Sequence, residues 1–203
     1  MTLVERPRTE YPVHYSEREF GRQGVILVLA HLTHTGEPSI CLLRHNRNDR
    51  KGIREGDLGL PSETIETGDS STDQDDAAMN AIQRLFTEEL GVQNPHSIGL
   101  YTTRYCSDEG FTHTFNLDTG LNGDSSNALG YGLVMWTQNP VPVIRAFQHG
   151  QSKGLVDSGE LSGISFVPVS QIIDAGSART FRTAPHAPTI VRQVMDAGML
   201  RHP

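Results

Sequence analysis

The sequence predicts a single α+β domain built on a mixed β-sheet, and three observations carry that expectation. Gly24–Leu32 (GVILVLAHL) and Ser39–Leu43 (SICLL) are apolar runs rich in β-branched residues, separated by the turn sequence THTGEP, as expected of two paired, buried strands. One strongly periodic helix ends at Gly91, with Ala78, Ala81, Ile82, Leu85, Phe86 and Leu90 along its apolar stripe. Further strand candidates and a closing helix follow, and neither a repeat nor a linker divides the 203 residues.

Residues 1–22 read as a polar N-terminal arm with one edge strand around Tyr11–Tyr15, and residues 23–203 as the domain itself. Charges and prolines stand in the arm where an export signal needs an apolar stretch, and no run of 18 apolar residues offers a membrane span, so a cytoplasmic protein is expected. After the two strands, a basic stretch from Arg44 to Arg54 leads into a strand ending at Pro61. An acidic loop rich in Ser and Thr follows. The helix is capped by Ser71, with Gln74 three residues on, or by one of Asp73, Asp75 and Asp76, whose charges suit its N-terminus. Gly91 is its natural stop. Ser97–Cys106, Thr112–Asp118, Gly132–Thr137 and Ile164–Val169 are the later strand candidates. Between them lies a short helix around Val143–His149, and Pro188–Met199 closes the fold with Ile190, Val191, Val194 and Met195 on one helical face.

Composition excludes several functions. Cys41 and Cys106 are too few for a disulfide framework, lack CxxC spacing and are expected to be packing thiols. The nine histidines contain no HxH, HExxH or HxxxH arrangement for zinc, and no nucleophile elbow, P-loop or dinucleotide glycine pattern occurs. A net charge of −7 opposes general nucleic-acid binding. That charge is concentrated: ten acids from Glu55 to Glu89 face one base, Arg84, while the rest of the chain is slightly basic.

The acidic segment carries the chemistry. In Leu58–Val92 (LGLPSETIETGDSSTDQDDAAMNAIQRLFTEELGV) a strand ends at Pro61, a turn passes Gly68 and Asp69, and the helix presents Glu88 and Glu89 just before its terminal glycine. Adjacent helical residues lie about 100° apart, so both glutamates can reach a common point at the helix flank. Carboxylate oxygens of this kind suit Mg²⁺ or Mn²⁺, and Arg84, one turn earlier, is placed to pair with and orient Glu88.

This stretch resembles the Nudix box of the Nudix hydrolase superfamily. Arg84-Leu85-Phe86-Thr87-Glu88-Glu89-Leu90-Gly91-Val92 matches the pattern R-E-U-x-E-E-x-G-U, in which U is a bulky aliphatic residue, except at Leu85, with Phe86 a tolerated substitute. LPSETIETGD looks like LPGG-x-x-E-x-G-E with Ser62 and Glu63 in place of the glycine pair. Phe166-Val167-Pro168-Val169 looks like the W-V-P-L strand that follows the box, and Glu160 resembles a loop carboxylate that some members use as a further ligand or base. The resemblance spans Gly24 to Ala175 and implies the Nudix fold, a mixed sheet sandwiched between helices.

It also implies a hydrolase, dependent on Mg²⁺ or Mn²⁺, that cleaves a phosphoanhydride in a nucleoside diphosphate linked to another moiety. Glu88, Glu89 and the backbone carbonyl of Ser62 are then the metal ligands, Arg84 orients Glu88, and Glu160 is the added carboxylate or base. Leu85 stands where the family's first helix glutamate holds metal or acts as base, on the side expected to face the metal, and leucine can do neither. The spacing is unusual too. Seven residues between loop acid and arginine would select Asp76, whereas the Gly-Asp dipeptide selects Asp69; either the helix starts two turns early or the loop bulges.

Arg44 and Arg47, with Arg50, Lys51 and Arg54, are candidates to grip substrate phosphates, since guanidinium groups hold phosphate bidentately. Arg104 and Tyr105 are further substrate candidates, and Trp136 is either a base-stacking residue or core. A small nucleotide-type molecule is the expected partner, with a homodimer as a further expectation. The alternative is a module of the same fold that binds a nucleotide-like ligand or a protein partner without turnover, as Leu85, Ser62 and Glu63 suggest.

Overall fold

The computed structural model describes residues 23–48, 53–66, 69, 77–102, 113–118, 127–174 and 181–200. The arm, the cap candidates at 71–76, Arg50, Lys51, Arg104, Tyr105 and Cys106 lie outside them.

The apolar run begins the sheet. Strand β1 (Gln23–Leu32) lies parallel to β7 (Asn127–Thr137), in register from Gln23 opposite Leu129 to His31 opposite Thr137. The other edge of β7 carries β5 (Leu100–Thr102) and β6 (His113–Asp118), both antiparallel. Strand β2 (Pro38–His45) joins β1 through Pro38–Ile40 alone and takes β8 (Leu161–Pro168) antiparallel on its far side.

Strands β1 and β2 then diverge, and the segment ahead of the main helix fills the gap. Its first part, β3 (Leu58–Gly59), pairs with Leu43 and Arg44 of β2. Its second part, β4 (Ser62–Thr64), pairs with Gly24–Ile26 of β1, and the Leu27 N–H donates to the Pro61 carbonyl at 2.9 Å. The loop that carries Ser62 and Glu63 is thereby held by main-chain bonds on both sides.

Alternation along the strands separates two cores. Val25, Leu27 and Leu29 of β1 join Cys41, Leu43, Leu133 and Met135 beneath α1 (Ala77–Arg84) and α2 (Val141–Ser152). Ile26, Val28 and Ala30 join Ile40, Leu42, Val134 and Trp136 beneath α3 (Val169–Ile173) and α4 (Ala187–Asp196). Helices cover both faces, so β1 must be apolar at successive positions instead of alternate ones, which is why it reads as an unbroken run. Each fully buried aliphatic side chain of this kind contributes about 2 kcal/mol. The class is α+β with a mixed sheet between helices. No helix among the described residues is long and apolar enough to cross a membrane.

Several boundaries differ from the sequence reading. The strand expected from Ser97 starts only at Leu100, because Asn94 accepts the His96 N–H, Pro95 opens a 3₁₀ turn over Pro95–Ile98, and Gly99 ends it at φ 73°. Val169 opens α3 instead of closing β8, since Pro168 breaks the ladder before it. Trp136 is fully buried and belongs to the core, and Cys41 is a buried packing thiol. The main helix also changes character. After Arg84 its last turn, Leu85–Glu89, is π-helical.

Candidate functional site

Arg84 is the centre of the site. Its Nε donates to Asp69 Oδ1 at 3.0 Å and its Nη2 to Asp69 Oδ2 at 2.9 Å, a bidentate pair; Nη2 also donates to the Thr64 carbonyl at 2.7 Å. Asp69 is buried. Its Oδ2 accepts the Glu66 N–H, and its carbonyl accepts Asn80 Nδ2. Burial pushes the Asp69 carboxyl up, but the Arg84 hydrogen bonds, the Glu66 N–H and the Arg84 charge outweigh it and hold it below the usual carboxylate value. The same hydrogen bonds to Asp69 raise Arg84 above its ordinary value, so the guanidinium stays charged. Asp69 is thus the loop acid that meets the arginine, with residues 70–76 lying between it and the helix start at Ala77.

The third nitrogen of Arg84 meets an excess of negative charge. Nη1 lies 3.6 Å from Glu63 Oε1 and 4.0 Å from both Glu66 Oε1 and Glu88 Oε2. These distances exceed hydrogen bonding and leave attraction through space. Glu88 is therefore within reach of Arg84, as expected, but the principal partner of the arginine is Asp69. Burial raises the Glu63 carboxyl above its ordinary value; the Thr64 N–H and Arg84 pull it down, and the charges of Glu88 and Glu66 push it up.

Glu89 turns the other way. Its Oε2 accepts the Ser62 N–H at 2.8 Å, joining the end of the helix to the start of β4. In an extended strand the N–H and C=O of one residue point to the same side. The Ser62 carbonyl consequently opens toward Glu89 as well. Cys41 stands nearby: burial drives its thiol strongly upward, and the charge of Glu89 adds to that shift. The two adjacent glutamates, expected to converge at the helix flank, take separate partners: Glu88 faces Arg84, and Glu89 accepts the Ser62 N–H. Among the described residues, no three His, Cys, Asp or Glu side chains form a ready-made metal cage.

Leu85 does not face that site. It is fully buried in the core beneath α1 with Val25, Leu27 and Phe86, which corrects the expectation of a leucine on the metal-facing side. Glu160 pairs with Arg47, and its carbonyl accepts the Asn46 N–H at 2.7 Å; neither contact brings it to Glu88 or Glu89. Arg44 donates to the Gly56 carbonyl at 3.2 Å.

A second arginine–aspartate pair escaped the sequence reading. Arg182 Nε lies 2.9 Å from Oδ1 of buried Asp57, whose Oδ2 accepts the Arg54 N–H at 2.9 Å; Arg182 Nη2 donates to the Glu55 carbonyl at 2.8 Å. Leu58 N–H donates to the Arg182 carbonyl and Ala184 N–H to the Leu58 carbonyl, so residues 182–184 strap down the segment that leads into β3. Nothing local in the sequence ties residue 57 to residue 182.

No protein-family model matches this chain, and no curated protein sequence does. Solved structures do. A mutT/nudix family protein from Listeria innocua superposes with a TM-score of 0.50 at 12% identity, over 87% of this chain and 92% of the other. The NUDIX domain of Shewanella oneidensis NrtR, complexed with ADP ribose, gives a TM-score of 0.50 at 11% identity over 86% of each chain. At such identities the likeness is one of architecture, and in architecture this chain has the Nudix fold.

Proposed function

We propose that this chain is a divalent-cation-dependent hydrolase of a phosphoanhydride in a nucleoside diphosphate linked to another moiety, working in the cytoplasm. The observation that carries the reading is the bond from the Ser62 N–H to Glu89, which brings a strand-end carbonyl and a helix-end carboxylate to one place. With Glu88 this donor set consists of oxygen alone, and one or two carboxylates suffice for Mg²⁺ when substrate phosphates and water complete the shell. The donors present fit Mg²⁺ or Mn²⁺ on those terms. Glu88, Glu89 and the Ser62 carbonyl would hold the ion, which when bound neutralises charge on the bridging and departing phosphate oxygens.

The remaining residues act around that centre. Arg84, locked by Asp69, fixes the helix against β4 and keeps Glu88 turned toward the site. On this reading Arg44 and Arg47, at the end of β2 and just beyond it, receive the substrate phosphates, with Arg104 a further contact. Glu160 then works through Arg47, holding its guanidinium until a phosphate competes for it.

The test is a panel of nucleoside-diphosphate-linked compounds that includes ADP-ribose, assayed with Mg²⁺ and with Mn²⁺ on the wild type and Glu89→Gln. Turnover in the wild type and its loss in the variant are expected. No turnover of any compound, or equal turnover in both proteins, overturns the proposal.

The full burial of Leu85 favours a second reading, in which the ligand is bound and not consumed. Calorimetry with ADP-ribose separates the two: a saturable heat with the ligand recovered intact supports binding alone.

A further inference from the structure

Strand β8 has a partner on one edge only. Among the described residues it pairs with β2 and with no other strand. Alternation along β2 fixes which groups of β8 are left over. The His45 N–H donates to the Asp57 carbonyl at 2.9 Å, so the odd-numbered residues of β2 turn their N–H groups toward β3 and β1, and the even-numbered Ile40, Leu42 and Arg44 turn theirs toward β8. Their partners there are Val167, Ser165 and Gly163. Ile164 and Phe166 therefore point their N–H and C=O groups away from β2, where no described residue bonds them. Their side chains stand opposite Leu43 and Cys41, on the face beneath α1, and are half-buried. The strand (LSGISFVP) carries no charged side chain, a usual guard of an open edge.

We infer that residues 11–15 of this chain (Tyr-Pro-Val-His-Tyr) add to the outer edge of β8 as an antiparallel strand. The tether is long enough. Strands β1 and β8 both run antiparallel to β2, so Gln23 and Leu161 lie at the same end of the sheet. There β4, β3 and β2 stand between β1 and β8, which makes four strand spacings, about 19 Å. The eight residues from Tyr15 to Gln23 can span about 26 Å. A segment that leaves from this end, with Tyr15 next to Leu161, runs antiparallel to β8. Its side chains match the edge as well. Tyr11, Val13 and Tyr15 alternate with Pro12 and His14. In an antiparallel ladder the residues opposite Ile164 and Phe166 share their face and exchange main-chain bonds with them. With Tyr and Val in those places, apolar groups cover Ile164 and Phe166, while Pro12, which has no N–H to give, falls on the new outer edge and guards it. A tethered segment meets the edge at an effective concentration of about a millimolar, which favours it over a second copy of the chain. Phe166 faces Cys41, whose thiol feels the charge of Glu89, so the added strand borders the proposed site.

Hydrogen exchange of the full chain, resolved by residue, reads this directly. In the wild type the N–H groups of Ile164 and Phe166 are expected to be protected, to a degree independent of protein concentration. Val13→Pro removes the central donor of the added strand, and Val13→Asp sets a charge against Ile164 and Phe166. Each should speed exchange at those two amides by about tenfold. Residues 133–136 of β7 should keep their protection in both variants, which shows that the domain remains folded. Glu17→Gln, in the tether and outside the segment, should change nothing. Unprotected amides at Ile164 and Phe166 in the wild type, or protection that survives both Val13 variants, overturns the inference. Protection that rises with protein concentration overturns it as well, and assigns the edge to a second copy.

Discussion

Two buried aspartates bracket the segment from β3 to the main helix, and each is gripped by an arginine from later in the chain: Asp57 by Arg182 and Asp69 by Arg84. Their surroundings differ. At Asp57 the further contacts are with main-chain groups, Arg182 Nη2 donating to the Glu55 carbonyl and the Arg54 N–H to Asp57 Oδ2, and the Asp–Arg pair itself is neutral. At Asp69 the same kind of pair has three further carboxylates, Glu63, Glu66 and Glu88, arrayed around the free end of the guanidinium. A balanced pair can do no more than hold chain. The unbalanced pair holds chain and leaves a local excess of negative charge around Arg84.

The largest effect that would sharpen this contrast is on turnover. Glu89→Gln should lower kcat by about a hundredfold or more, the scale of losing an electrostatic group that acts in the transition state, whereas Arg182→Ala should stay within a few-fold in a steady-state assay. Next is stability. Removing one partner of a buried pair costs about 3 kcal/mol, so Asp69→Ala should shift urea unfolding by about that much, and Asp57→Ala, whose partner Arg182 is largely exposed, by less. Only Asp69→Ala should also weaken Mn²⁺ uptake, and a matching loss in Asp57→Ala would erase the distinction between the two pairs.

A smaller effect depends on pH. The Asp69 carboxyl is held below its unfolded value of 3.8, so its contribution is fully present above that value and is lost as pH falls through the lower, folded one. Urea midpoints measured from neutral to acid pH should fall less steeply for Asp69→Asn than for the wild type. The smallest effect is opposite in sign. Burial disfavours the charged form of Glu63, so Glu63→Gln should stabilise the metal-free protein at pH 7 by about 0.5 kcal/mol, read as a raised Tm in the presence of a chelator. A lowered Tm would show that the charge of Glu63 is needed for folding.

Much of the fold was legible because burial on both faces writes a continuous apolar run at β1, and because the stripe from Ala81 to Leu90 repeats at helical period. The helix at Val141–Ser152 and the closing helix at Ala187–Asp196 stand near where their patterns put them. Strand ends were less legible. A Pro at the first position of a turn and a Gly at its end moved the start of β5, a local effect that hydrophobic pattern does not register. In the site, the conjunction of Arg84 with Glu88 and Glu89 was visible as spacing. The partner of Arg84 was ambiguous by seven residues, because spacing counts chain length and not the path the chain takes. The helical period put Leu85 on the apolar stripe, where it is buried; the metal-facing direction came from the resemblance alone. The grip of Arg182 on Asp57 depends on contacts across the whole domain, which no local pattern contains.

Gly91 ends the main helix at φ 66°, and its Cα packs against Gly150 of α2 so closely that a Cβ on Gly150 would meet Gly91 Cα at 2.8 Å. A Cβ on Gly91 would in turn meet the Ala146 carbonyl oxygen at 2.5 Å. The two backbones meet with only the Val156 side chain equally close, so α2 serves as an anvil for the turn that presents Glu88 and Glu89. A single methyl group at position 150 would shift that turn mechanically, retuning the spacing of the carboxylates while leaving every charge in the molecule unchanged.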